Sequence, residues 1–315
     1  GMGILSAFLM NDTLAIIGTP VMLLLAQKNG VPAKVLLLSL AFAITIGSVM
    51  SPIGNPQNLL IAVNGNLTSP FITFFRYLLI PTLINLFLAY LLLRLFYKNH
   101  FRGELLHGSE GQIRDPRLAM LSRVSLILLA VLIAAKIVTV FLGLKIDFRL
   151  TYIALASAFP IVLLSPKRLG IIRRIDWHTL IFFAAMFVLM ESVWDSGFFQ
   201  SVLSATHLAL TSTSVILGIS VVLSQLISNV PFVALYLPLL LQSGASVKGM
   251  MALAAGSTIA GNFSILGAAS NVIIIQNAEK NSGETLTFMD FMKVGVPLTI
   301  INLAVYWLFL DVIFK

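Results

Sequence analysis

The chain holds no cysteine, which excludes disulfides, thiolate metal sites and iron–sulfur ligation. Charge is scarce too: only 10% of its 315 residues are Asp, Glu, Lys or Arg. A soluble domain of that size could not cover its surface with so few. The histidines are His100, His107, His178 and His207, in loops or at the ends of apolar runs, with no pair at metal-ligand spacing. No G-x-x-x-x-G-K-[ST] sequence occurs, so any ATPase coupling would need a separate subunit. The first residues enter an apolar run with no basic stretch before it, so no cleavable signal peptide is expected. Membrane enzymology, a resident cofactor and a metal centre all lack support.

What fills the chain instead is hydrocarbon. Hydrophobic residues make up 58% of it, and its mean hydropathy is +1.00. Apolar runs of about 20 residues recur along the whole length, each able to cross a hydrocarbon core of roughly 30 Å. An all-α polytopic membrane protein is expected, with full spans near 34–63, 70–97, 118–143, 149–165, 178–197, 248–276 and 288–313. Segments near 208–227 and 231–244 are joined too closely at Ser228-Asn229 for two crossings. They read as a re-entrant hairpin, and residues 1–10 and 13–27 read as its counterpart with a shortened first limb. Backbone of this kind is tolerated at membrane depth only where protein or a wet cavity surrounds it.

The net charge of +8 is then no nucleic-acid signal; it sorts into loops. Lys98, Arg102, Arg114 and Arg117, with Arg123 just beyond, mark one loop (98–117). Lys167, Arg168, Arg173 and Arg174 mark another (166–177). An even number of spans separates them, so they share a face, which should be cytoplasmic. Lys28, Lys34, Lys280 and Lys293 fall on that face by the same count. Arg76, Lys145, Arg149, Lys248 and Lys315 fall on the other. The amphipathic stretch 168–178 is expected at the cytoplasmic interface. The location is read as the inner membrane of a prokaryote.

That count makes the first hairpin enter from the cytoplasm and the second from outside. The sequence around them is also duplicated. Ser6–Ala26 and then SPIGNPQNLLIA (51–62) match 224–243 and then SILGAASNVIII (264–275). In each copy a polar cluster with an Asn (Asn11, Asn229) is followed by a Pro nine residues on (Pro20, Pro238) and later by a Gly-to-Asn break (Gly54 to Asn58, Gly267 to Asn271). Inverted repeats with interrupted apolar segments mark the substrate site of secondary transporters. The expected organisation is a first repeat at 1–97, a cytoplasmic loop at 98–117 and a second repeat at 118–315. The counterpart of Met120 would lie about a hundred residues before Gly1 by the repeat's own spacing. The chain therefore reads as N-terminally incomplete.

Candidate ligand-binding residues follow from the breaks: Asn11, Asp12, Thr13, Gly54, Asn55, Asn58, Ser228, Asn229, Gly267, Ser270 and Asn271. Helix ends at midmembrane expose N–H groups to anions and C=O groups to cations. Asn side chains donate or accept, so they serve freed backbone as well as ligand. Pro52 and Pro56 break the first helix by removing donors. The second break lacks Pro and lies at Gly261-Asn262 and 267–270. Asp12 is the sharpest residue, because a carboxylate at membrane depth is costly and points to function. A hairpin-tip cap for local N–H groups is the plainer reading of it, and interhelical glue is the plainer reading of Asn55 and Asn262. Glu191, with Asp195 a turn later, reads equally as a solvated span end or a gate. Lys136 is expected to snorkel outward.

NDT (11–13), SPIGNPQN (51–58), SNVPF (228–232) and DWHTLIFFAAMFVLME (176–191) together resemble the ion-transporter superfamily of arsenite permeases, sodium–proton antiporters and citrate/dicarboxylate permeases. The arsenite-permease-like anion transporters are the nearest resemblance, over essentially the whole chain. It implies a dimeric scaffold-and-transport architecture with elevator-like movement and a coupling Na+ or H+. Relative to the Ser-Asn-Thr hairpin tips of the dicarboxylate symporters, Met10 stands for the first Ser and Val230 for the second Thr. The readings left open are a small inorganic ion carrier of arsenite-efflux type, a cation–proton antiporter using Asp12, a di- or tricarboxylate symporter, and an ion channel. Membrane lipid, a small inorganic or carboxylate ion and a second copy of the chain are the partners expected.

Overall fold

The computed structural model describes residues 1–101, 115–142, 144, 149–173, 175, 177–206 and 208–314. It is 82% helical, with no strand among the described residues. Lipid offers backbone groups no partner, so each apolar run pairs its own N–H and C=O groups along a helix. In chain order the helices are α1 (Met2–Leu5), α2 (Asn11–Asn29), α3 (Ala33–Ser48), α4 (Pro56–Asn64), α5 (Pro70–Phe96), α6 (Pro116–Phe141), α7 (Leu150–Leu164), α8 (Arg168–Arg173), α9 (Trp177–Asp195), α10 (Phe198–Ser204), α11 (Thr213–Ile227), α12 (Asn229–Gln242), α13 (Val247–Ile259), α14 (Ala269–Ser282) and α15 (Phe288–Trp307).

Among the described residues, Pro70–Phe96, Pro116–Val140 and Phe288–Ile313 are each long and apolar enough to cross a bilayer unaided. Leu180–Asp195 passes only together with Phe198–Ser204, from which it is bent by 59°. The expected span 149–165 is shorter than a crossing, a helix of 15 residues. Ser165 stops it in extended conformation before Pro166, as steric clash with a following proline ring favours. The runs 34–63 and 248–276 are each interrupted, as α3/α4 and α13/α14. Arg102, Arg114, Lys145, Arg174, His107, His207 and Lys315 lie outside the described residues.

The chain resolves into two compact units, one of Gly1–Ser109 with Phe187–Lys315 and one of Glu110–Met186. In the first, α1–α5 and α11–α15 make equivalent contacts. Helix α1 packs on α3 as α11 packs on α13, and α2 lies on α14 as α12 lies on α4. Helices α5 and α15 pack along each other. Tyr77 meets Phe314 (5.0 Å), Thr82 meets Tyr306 (2.7 Å) and Phe96 meets Lys293 (5.9 Å). One number rises as the other falls, so the two helices run antiparallel. Lys34 and Asp290 form an ion pair that joins the starts of α3 and α15. Lys34 and Lys293 thus share an end of the unit.

Small residues let the central helices approach, the usual device where lipid removes the hydrophobic drive between helices. In α13 the run Ala252, Ala254, Ala255, Gly256 and Ser257 is wholly buried. Larger side chains make specific contacts: the Phe42 and Phe291 rings meet tilted at 58° with centroids 4.9 Å apart, and the Tyr236 hydroxyl donates to Leu210 O at 2.7 Å. Outward faces carry Leu95, Val188 and Leu226, each at least 70% exposed. Apolar exposure on this scale is a lipid-facing surface, and the chain is an integral membrane protein.

The second unit packs α6 on α7 and α7 on α8. Asp115 caps α6, accepting from Leu118 N at 3.0 Å and from Lys167 Nζ at 2.6 Å. The hydrogen bond from Lys167 holds its carboxyl below the usual carboxylate range.

Candidate functional site

The first break is closed by its own side chains. Helix α3 ends at Ser48, and α4 restarts at Pro56 with Asn55 as its N-cap, whose Oδ1 accepts from Asn58 N at 2.8 Å. Proline at the first helical position gives up an N–H that had no partner anyway. Asn58 Nδ2 turns back to the carbonyls that α3 leaves open, reaching Ser48 O (3.1 Å), Val49 O (3.3 Å) and Ser51 O (3.0 Å). Asn55 Nδ2 donates to Ser48 Oγ (3.0 Å) and to Thr258 Oγ1 (3.2 Å) across the repeats. Thr258 Oγ1 in turn reaches Asn58 Oδ1 at 3.3 Å, with Gln57 Nε2 beside it at 3.4 Å. Gly54 lies against the Ser48 backbone, where any Cβ would collide.

The second break repeats the backbone solution and omits the rest. Asn271 Nδ2 reaches back to Gly261 O (2.7 Å) and Ser264 O (3.3 Å), ten and seven residues earlier, as Asn58 reaches Ser48 and Ser51. A Cβ on Gly267 would meet Ala260 O at 2.6 Å, the same close approach as at Gly54. The caps differ. Where the first copy has Asn55 and Gln57, the second has Ala268 and Ser270. Helix α14 therefore starts with no side-chain cap. Thr45, the counterpart of Thr258, finds no partner for its Oγ1, and Ser270 Oγ and Asn271 Oδ1 are also buried without one. Asn262 is fully buried with both amide atoms unpartnered. Each such group costs roughly 1–3 kcal/mol unless something else satisfies it.

The starts of α2 and α12, where the sequence predicts hairpin tips, adjoin these breaks. Asn11 N donates to Gly54 O at 2.9 Å, which fixes the start of α2 against the first break. Asn11 Oδ1 accepts from Asp12 N, also at 2.9 Å. Asp12 is half-buried in the first turn of α2, Thr13 beside it is exposed, and neither ion pair among the described residues includes Asp12. At the other tip a single residue, Ser228, joins α11 to α12 at φ 67°. A non-glycine residue there is held at a cost of about 1–3 kcal/mol. Asn229 is buried with its Oδ1 unpartnered, as is Ser224 Oγ on α11. Gln225 ties this hairpin to the second break, donating to Ala260 O (2.8 Å) and accepting from Ser264 Oγ (2.8 Å).

The structure thus brings Asn11 and Gly54 together, places Asn55 and Asn58 in one network, and leaves Asn229, Ser270 and Asn271 with open acceptors. Thr258, Gln57 and Gln225 carry much of the geometry, Thr45 is the unpartnered counterpart of Thr258, and sequence reasoning missed all four. Thr45 and Thr258 occupy equivalent places in the repeat, and aligning the copies further upstream would have shown it. A second omission lies between α5 and α15. Thr82 and Asn85 recur as Thr299 and Asn302 after Pro81 and Pro297. Asn85 and Asn302 are fully buried, and none of their four amide atoms makes a well-formed hydrogen bond, although Asn85 lies beside the Tyr306 hydroxyl. Interpolating between the contacts of Thr82 with Tyr306 and Phe96 with Lys293 sets the two amides level on the antiparallel pair.

Comparison with known proteins gives the family. A sequence model described as a citrate transporter matches residues 1–249. A 46 kDa membrane protein of Mycobacterium leprae is 27% identical over 320 residues, covering 97% of this chain and 73% of the relative. An uncharacterized transporter of Mycobacterium tuberculosis is 27% identical over 324 residues, with the same two coverages. The P protein of Mus musculus is 26% identical over 393 residues, covering 96% of this chain and 47% of that longer protein.

Proposed function

The chain belongs to the citrate transporter family, so it is a membrane transporter, and we propose that it moves a small hydroxylated inorganic solute of arsenite type by alternating access. One observation carries this reading. The second break holds open polar atoms on Thr45, Ser270, Asn271 and Asn229, while no Lys or Arg occurs in 6–27, 48–62, 224–243 or 257–275. A multiply charged anion would find no cationic side chain there and would face the Asp12 carboxylate. A neutral hydroxylated species needs only donors and acceptors, which amide and hydroxyl groups supply. Asp12 takes the coupling H+ or Na+.

Equivalent contacts in the two halves, with α5 antiparallel to α15, support the inverted-repeat reading. Alternating access by an elevator-like movement, a dimer and a place in a prokaryotic inner membrane complete the proposal. The family description favours a second reading, a citrate-class carboxylate carried together with a cation that offsets its charge.

Uptake into proteoliposomes separates them. Arsenite flux driven by a proton gradient is expected, and Asp12→Asn should remove its dependence on the gradient with little loss of folded protein. Saturable citrate uptake that needs an added cation, without arsenite flux, would establish the second reading. Sodium-driven proton movement with neither solute would instead identify a cation–proton antiporter.

A further inference from the structure

A separate cavity of about 370 Å³ opens between α4, α9 and α12. Its walls are Leu60, Leu237, Pro238 and Leu241 on α4 and α12, with Phe187, Met190, Glu191 and Trp194 from α9. The α9 residues recur every three or four positions, which sets them on one face of that helix. Glu191 is the one charged side chain of the lining, and it belongs to neither ion pair among the described residues. Asn64, also in the lining, is the last residue of α4, so the partly negative C-terminal end of that helix faces the same space. The cavity is therefore negative at one place and greasy or aromatic elsewhere. A hydrated inorganic cation would use the charge and waste the walls. An ammonium carried on hydrocarbon uses both, with its charge on Glu191 and the α4 end, its methylene or methyl groups on the leucines, and the rings of Trp194 and Phe187 available for cation–π contact.

We infer that this cavity is a binding site for an alkylammonium group. The charge count of the sequence puts 191, 194 and 64 near the outer membrane surface, where two sources of that chemistry exist: the headgroup of an amine-bearing lipid and a free amphipathic amine. An occupant would lie beside α4 and α12, the helices that begin at the first break and the second hairpin tip.

Binding can be read without transport. Detergent-solubilised protein is titrated with dodecyltrimethylammonium, and dodecyl sulfate serves as the control of equal chain length and opposite charge. The ammonium should raise the melting temperature, and Glu191→Gln, an exposed position, should weaken its binding roughly fivefold or more. Trp194→Leu should weaken it as well, with Trp194→Phe largely restoring it. Native mass spectrometry from mixed phosphatidylethanolamine and phosphatidylglycerol vesicles then identifies the source. Retention of phosphatidylethanolamine that Glu191→Gln abolishes assigns the site to lipid; no retention beside Glu191-dependent ammonium binding assigns it to a free amine. Equal stabilisation by both amphiphiles, or ammonium binding unchanged in Glu191→Gln, overturns the inference.

Discussion

The two breaks use one backbone device and end in different states. Asn58 and Asn271 each fold back on the carbonyls of the preceding helix at the same spacing. Around Asn58, the side chains of Asn55, Gln57 and Thr258 complete a closed network. Around Asn271, Ala268 and Ser270 are too short to reach, and Thr45, Ser270 and Asn271 keep open polar atoms. The difference of two side chains leaves one break closed by protein groups and the other with unpartnered polar atoms. On the proposed reading, stability belongs with the first break and ligand affinity with the second.

That division can be broken experimentally, beginning with the largest effect. Asn58→Ala removes the bonds to three backbone carbonyls and the link to Thr258, and should cost about 3–5 kcal/mol, enough to prevent recovery of folded protein. Asn271→Ala should cost less, because two bonds are lost. Equal losses in thermal unfolding would dissolve the distinction between the breaks.

The α5–α15 amides come next. Asn85→Leu and Asn302→Leu each remove a buried amide that makes no well-formed hydrogen bond, so neither should destabilise by more than about 0.5 kcal/mol. A clear loss in thermal unfolding from either substitution would show that the amide is satisfied in the folded protein.

Ser270→Ala is expected to leave stability within about 0.5 kcal/mol, since it removes an unpartnered hydroxyl. Its effect should be on ligand: the melting-temperature rise produced by substrate or Na+ should shrink. A clear loss of stability with unchanged ligand response would return Ser270 to the structural side.

The smallest effect lies away from both breaks and calibrates the rest. Asp115 has its pKa lowered by the Lys167 hydrogen bond, so its contribution is present above the ordinary carboxylate pKa and lost as pH falls through the lower folded value. Asp115→Asn should flatten the acid limb of the melting curve slightly, and the change should fade in high salt.

Much of this was legible in the chain. Asn11, Gly54, Asn58, Asn229, Gly267 and Asn271 stand out because duplication makes a polar interruption visible against apolar sequence. The α4 start is readable from Asn55-Pro56, where a capping side chain precedes a proline. Thr258 was not legible: a threonine inside Gly256-Ser257-Thr258 looks like any small residue of a packed helix, and its value comes from Asn55, two hundred positions away in the chain. The bend after Asp195 was equally hidden, because apolar composition sets a span's length and not its axis.

Sequence by itself determined that this protein lives in lipid, that it is helical, and that its two halves share a plan. Those follow from local facts, since hydrocarbon forbids unpaired backbone and repetition needs no coordinates. Only the tertiary structure decided which polar groups are occupied by other protein groups and which stay open. Hydrogen bonds are short and directional, so the same Asn is a strut or a ligand depending on what a distant helix places within about 3 Å of it.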